Sequence, residues 1–280
     1  MRSLLCCLLL SLPAAARAQG ANDDCFPAKD SHEAQVFGIY SVPLAFSPGG
    51  APGSMAPWHI RVGVETSYLP NIDSTTATPT VCRPGKEAEN VDFGALLPRP
   101  RISLGLPSGF ALEASYIPPV RVNGAKPSIF GVALRKTFAL GGMTLGVRGH
   151  ATVGVIHAAI VCDDDALKDP NSECNNGTKS NDEFHPNIFG ADASLGWSLG
   201  GGRFQPYLGG GFNVLHPRFR VNFTNQFDQV DRRRVEVDLQ RAVLFAGASW
   251  FPSPRFAVSG QIYSAPTDAV TGRVALSIGL

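Results

Sequence analysis

Along residues 58–69 apolar and polar side chains alternate with period two. One face reads Trp58, Ile60, Val62, Val64, Thr66 and Tyr68, the other His59, Arg61, Gly63, Glu65 and Ser67. Successive side chains of a strand point to opposite faces, so this segment predicts a strand with one dry and one wet side. The alternation returns at Ile102, Leu104 and Leu106 against Arg101, Ser103 and Gly105. It continues at Phe110, Leu112, Ala114 and Tyr116 against Ala111, Glu113 and Ser115. Phe130, Val132, Leu134 and Phe138 oppose Arg135 and Thr137; Met143, Leu145, Val147 and Val153 oppose Arg148, His150 and Thr152. Phe189, Ala191, Ala193, Leu195 and Trp197 oppose Asp192 and Ser194. Segments 204–215, 240–251, 256–264 and 272–280 complete the series. In 240–251 both faces carry large apolar residues, which predicts a bulge or a contact with something inside.

Alternation also suits a soluble sandwich, which has one wet face and one dry. Three features decide for a membrane barrel. Strands of nine to twelve residues suit a tilted bilayer crossing better than the usual five or six. Aromatics gather at strand ends: Trp58, Phe110, Phe138, Trp197, Phe204, Trp250 and Phe256 at one level, Tyr68, Tyr116, Phe130 and Phe189 at the other. Connections alternate, with tight turns at 107–109, 140–142, 200–203 and 252–255, and long polar loops at about 70–98, 117–127, 158–186 and 216–239. The reading is an all-β, antiparallel up-and-down transmembrane barrel of about ten strands over 58–280. Eight strands result if 93–106 and 256–264 are irregular, twelve if 216–239 crosses. The latter, dense in charge at Arg232-Arg233-Arg234, reads better as a hairpin beyond the membrane.

The chain resembles the small bacterial outer-membrane β-barrel proteins of eight to twelve strands. The likeness rests on an N-terminal signal peptide, the strand FQPYLGGGFNV at 204–214 and the closing strand RVALSIGL. It implies a place in the bacterial outer membrane, contact with its lipid, and insertion by the barrel-assembly machinery reading Arg273 to Leu280. The family usually ends in Phe; this chain ends in Leu280.

The first eighteen residues fit a secretory signal: Arg2, an apolar run from Leu4 to Leu12, and Ala16-Arg17-Ala18 before Gln19. Cys6 and Cys7 stand too near the start for lipidation. Charged residues are only 17% of the chain, and its net charge is +1. Losing Arg2 and Arg17 from 24 basic residues leaves one more acid than base among the 23 acids, so nucleic acid is excluded as a partner.

Four cysteines survive export, Cys25, Cys82, Cys162 and Cys174, and none has metal-ligand spacing. Cys162 and Cys174 share one polar loop and are expected to pair, which leaves Cys25 for Cys82. Cys82 lies outside the membrane, so that bond takes the 19–57 segment to the outer end of the barrel. Residues 26–56 then return through the lumen to Trp58. The stretch VFGIYSVPLAFS at 36–47 is then the lumen plug, packed against such residues as Val243 or Phe245; a disordered periplasmic tail over 19–57 is the alternative. An odd wall strand there would turn every long loop inward.

The inward faces carry Arg61, Arg101, Arg135, Arg148 and Arg273, with Glu65, Glu113 and Asp192, and His59, His150 and Gln261. They read either as a paired polar core or as a slightly cationic bore for small anions. Barrel proteases pair acids with a rim His, and a barrel deacylase uses His-x-Ser. The nearest fragments here are His185 with Asp192, and His150-Ala151-Thr152, and neither assembles a catalytic set. The acidic loop 162–174 lacks the order of a calcium loop, and no cofactor or metal site emerges. The expectation is a non-enzymatic, narrow or plugged barrel with a structural or surface-recognition role. A solute channel, and a surface enzyme or adhesin acting through the long loops, are the alternatives.

Overall fold

A computed structural model describes residues 24–280; the signal peptide expected at 1–18 lies outside them. Two helices and fifteen strands follow in chain order. They are α1 (His32–Leu44), β1 (Ile60–Tyr68), α2 (Ser74–Ala77), β2 (Leu96–Gly105), β3 (Phe110–Ile117), β4 (Lys126–Leu140), β5 (Met143–Ala158), β6 (Asp182–His185), β7 (Ile188–Trp197) and β8 (Phe204–Leu215). Next come β9 (Arg218–Arg220), β10 (Phe223–Thr224), β11 (Val230–Asp231), β12 (Arg234–Glu236), β13 (Leu239–Trp250), β14 (Phe256–Ala265) and β15 (Ala269–Gly279). Ten strands, β1 to β5, β7, β8 and β13 to β15, pair antiparallel with their neighbours. β15 closes on β1 through Arg61↔Gly279 to Ser67↔Arg273. Closure pairs every wall strand with a neighbour on both sides over most of its length, as a sheet in hydrocarbon requires.

The pleat sorts the side chains as the alternation requires. Leu208, Leu244, Ile262 and Val274 are each more than half exposed on the outside, while Glu65, Glu113, Arg148 and Asp192 are buried within. An apolar exterior on this scale is stable only against lipid. Trp58 and Trp250 stand exposed near the tight-turn end, Tyr68, Tyr116, Phe130 and Phe189 toward the long-loop end.

Beyond the membrane the wall grows on one side. The upper end of β5 pairs with β6, β6 with β9, and β9 with β12. The hairpin expected at 216–239 is present, but β6, inside what read as loop 158–186, joins it to the barrel. Cys25 adds a parallel bridge to Val235, donating N–H to Arg234 O (2.7 Å) and accepting from Glu236 N (3.0 Å).

Cys25 is bonded to Cys82 and Cys162 to Cys174, with Cα atoms 5.6 Å apart in each pair. From Cys25 at the outer end, the described chain crosses the lumen once and leaves beside Trp58, whose N–H bonds Gly105 O at 2.8 Å. The approach of residues 19–23 to that outer position lies outside the described residues. Residues 36–47 are not an extended thread as expected. They form most of α1, then a turn into extended chain. Ser31 caps the helix by accepting from Ala34 N at 3.2 Å, and Glu33 supports its first turn. Pro43 stands in the last turn, where a missing N–H costs one bond, and Ala45 N still reaches Ser41 O at 2.9 Å. A helix satisfies its own backbone inside an enclosed space; a lone thread cannot.

Candidate functional site

Helix α1 is apolar on nearly every side, as a helix surrounded by wall must be. Ala34, Phe37, Tyr40, Val42 and Leu44 share one buried cluster with Val243, Phe245, Tyr263, Ile129 and Ile156 of the wall. Phe37 stacks on Phe184, their ring centroids 5.5 Å apart. Val243 and Phe245, the inward pair of the ambiguous segment, explain its two apolar faces. Gly209 makes room for Phe245: a Cβ there would stand 2.4 Å from the ring.

Below the helix the lumen turns polar. Six guanidinium groups, Arg61, Arg99, Arg101, Arg135, Arg148 and Arg273, share it with three carboxylates, Glu65, Glu113 and Asp192. Arg148 grips Asp192 with Nη2 and Nε, at 2.7 and 3.1 Å from Oδ2, and His150 Nε2 stands 3.6 Å from the same oxygen. Glu65 pairs with Arg101 and lies 3.7 and 3.9 Å from Arg273 and Arg99. Glu113 takes Arg101 at 3.1 Å and Arg135 at 3.5 Å. Positive charge remains in excess, and buried charge is costly unless partnered.

The plug supplies the missing partners. The last carbonyls of a helix have no acceptor role within it and carry the negative end of its dipole. Arg273 donates to Val42 O at 2.5 Å and Ala45 O at 2.9 Å, and Arg99 to Leu44 O at 2.6 Å and Ala45 O at 3.2 Å. Arg148 donates to Phe46 O at 2.6 Å, Arg101 to Ser47 O at 3.1 Å, and Arg273 also reaches the Ser47 hydroxyl. Phe46, wholly buried, sets its ring 4.4 to 5.8 Å from the guanidinium carbons of Arg101, Arg148 and Arg99. Gly131 faces that ring, and a Cβ there would press on Phe46 Cγ at 3.1 Å. Four arginines thus clamp five residues, Val42 and the run 44–47.

Arg99 had no place among the inward residues read from the sequence. It stands two before Arg101, hence on the same face, but Pro98 and Pro100 flank it and hide the alternation. Parity alone would have found it. The remaining residues read as inward lie apart from the clamp, and His59 is not inward: it is exposed just ahead of β1. Arg61 faces Phe251 at 6.0 Å, and Gln261 is buried on β14. His185 Nδ1 lies 3.0 Å from Gly154 O, and Asp192 is held by Arg148, so the two are not brought together. The Thr152 hydroxyl accepts from Phe46 N at 3.1 Å. In the acidic loop, Asp163 accepts from Ala166 N at 2.9 Å and Asp164 pairs with Lys179 at 2.6 Å.

At the outer end the plug is fastened a second time. The Glu33 carboxylate accepts from the backbone N–H groups of Thr80, Val81 and Cys82 at 2.8 to 3.0 Å. Burial raises its pKa, but the donors at Cys82, Val81 and Thr80 outweigh that and hold it below the ordinary carboxylate range. A depressed carboxylate stabilises the fold above its unfolded pKa, and that contribution fades as pH falls toward the folded value. Glu33→Gln is therefore expected to lower the denaturant midpoint at pH 7. The gap from the parent should begin to narrow near about pH 4, the ordinary Glu value, and keep shrinking as pH falls further. A gap that stays constant with pH would show that the carboxylate charge is not what fastens this loop.

No family model matches the chain, and no curated protein matches it in sequence. Solved structures similar to it include the attachment invasion locus protein Ail of Yersinia pestis, at 14% identity and a TM-score of 0.31, covering 80% of this chain and 98% of that one. The outer membrane protease OmpT of Escherichia coli aligns at 10% identity and a TM-score of 0.42, over 81% of this chain and 96% of that one. The toluene transporter TbuX of Ralstonia pickettii aligns at 9% and 0.29, over 80% and 89%. The closed wall, its apolar exterior and its polar interior make this chain an outer-membrane β-barrel in fold and location.

Proposed function

We propose that the protein is a plugged barrel that passes no ions at rest and acts through its outer face. The observation that carries this reading is the clamp: the buried Arg99, Arg148 and Arg273 and the partly buried Arg101 hold the carbonyls of residues 42 and 44–47 across the lumen. A bore for anions would leave guanidinium groups open to water. Here they are spent on the plug. The outer sheet of β6, β9 and β12, tied to the plug at Cys25, is the surface offered for recognition or support. We read it as non-enzymatic, because His185 and Asp192 are each engaged elsewhere. The closing strand β15 serves in this reading as the segment taken up by the insertion machinery.

Planar-bilayer recording of the full chain tests this directly. The expected trace is flat at moderate voltage. Regular unitary steps whose anion preference falls when Arg61 and Arg148 are neutralised would establish the channel alternative and sink the plugged reading.

A further inference from the structure

The wall has an open seam between β2 and β3. β2 is paired with β1 without interruption from Ile60↔Leu104 to Tyr68↔Leu96, and β3 with β4 up to Ile117↔Ile129. Between β2 and β3, however, the ladder runs only from Gly105↔Ala111 to Arg101↔Ser115. Successive backbone groups of a strand face opposite neighbours. Gly105 N–H bonds His59 O on the β1 side, and Leu106 N–H bonds Phe110 O on the β3 side. Even-numbered residues of β2 therefore direct their backbone toward β3. Pro98 and Pro100 are even-numbered, so the donors they lack are those β3 would need. On the other lip, Pro118 follows β3 with the same parity as Phe110 and also has no donor. The gap leaves few unpaired N–H groups in hydrocarbon, where no water could satisfy them.

A cavity of about 280 Å³ runs through this seam. Its outer lip carries Val64, Leu96 and Val120, exposed at 39%, 59% and 62%; its inner end is formed by Tyr40 and Leu44 of the plug with Ile156, all 6% exposed or less. The prolines face Thr66 and Val64, two to four residues inside the aromatic level marked by Tyr68. At about 3.3 Å per residue that is roughly 7–13 Å along the strand, within the outer half of a hydrocarbon core about 30 Å thick. The mouth opens on the apolar exterior beside Val64, Leu96 and Val120.

We propose that this seam is a lateral binding site, which takes one acyl chain of an outer-leaflet lipid between β2 and β3 and seats it on Tyr40 and Leu44. Prolines on both lips hold the wall open, and the plug forms the floor.

The test uses the full chain in phosphatidylcholine vesicles doped with a phosphatidylcholine bearing a diazirine in mid-chain. After illumination, adducts are mapped by peptide mass spectrometry. Adducts are expected on the buried Tyr40 and Leu44 as well as on the lipid-facing Leu208. Labelling of Leu208 without Tyr40 or Leu44 would overturn the site. In Pro98→Val/Pro100→Val, which restores both donors, labelling at Tyr40 and Leu44 is expected to fall at least tenfold with Leu208 unchanged. Inner labelling that persists in a variant still folded by its heat-shifted gel mobility would mean entry by another route, and the proposal would fail. Should that variant not fold, the parent's adduct map alone still decides.

Discussion

Arg148→Ala is expected to cost about 3–5 kcal/mol and to loosen the plug while the outer strands stay paired, because it strips one member from a buried ionic pair. The side chain is 2% exposed. Its loss leaves Asp192 with only His150 at 3.6 Å, orphans the Phe46 carbonyl, and removes one of three cations around the Phe46 ring. Arg148→Lys should recover only part of this. A single ammonium reaches Asp192 or Phe46 O, but has no planar fork to bridge both. Because Arg148 and Asp192 form one unit, the Arg148→Ala/Asp192→Ala double variant should cost clearly less than the sum of the singles. The measurement is the fraction of heat-modifiable, folded band across a urea series in detergent. A shift within 0.5 kcal/mol for Arg148→Ala, the range of ordinary surface changes, would show that the clamp does not hold the plug.

Cys25→Ser should act on the plug and spare the barrel. The bond closes a loop with a sequence separation of 57, worth about 4 kcal/mol in the chain-entropy model. At 1.4 kcal/mol per decade that is an opening equilibrium about a thousandfold larger, read as lost hydrogen-exchange protection over α1. The barrel ladders do not involve Cys25 and should keep theirs. Cys162→Ser is the control. Its bond spans only 12 residues within one outer loop, so α1 protection should be unchanged. Equal effects of the two substitutions on α1 would refute the idea that Cys25–Cys82 tethers the plug.

Much of the wall is written in the chain because a barrel strand between lipid and a polar lumen must alternate. One-residue errors turn Glu65 or Arg148 toward hydrocarbon, so parity is strongly constrained and readable at most positions. The alternation, the aromatic levels and the turn-loop rhythm determine a closed wall and the inward placement of Arg61, Glu65, Glu113, Arg148, Asp192 and Arg273. Where proline breaks the visual rhythm, as at Pro98-Arg99-Pro100, the wall is harder to read, and the same prolines open the seam.

Four cysteines and an oxidising destination likewise narrow the bonds to few choices. Only the tertiary structure decides the rest. Residues 36–47 hold Gly38, Pro43 and the β-branched Val36, Ile39 and Val42, a composition that suits strand or helix, and a short apolar run has no period to arbitrate. Enclosure settles it: with no neighbouring strand free to pair, the segment satisfies its backbone internally as α1. The clamp is decided by the same enclosure. Arginines from β2, β5 and β15 stand far apart in the chain, and what they hold is backbone carbonyl, which has no signature in side-chain sequence.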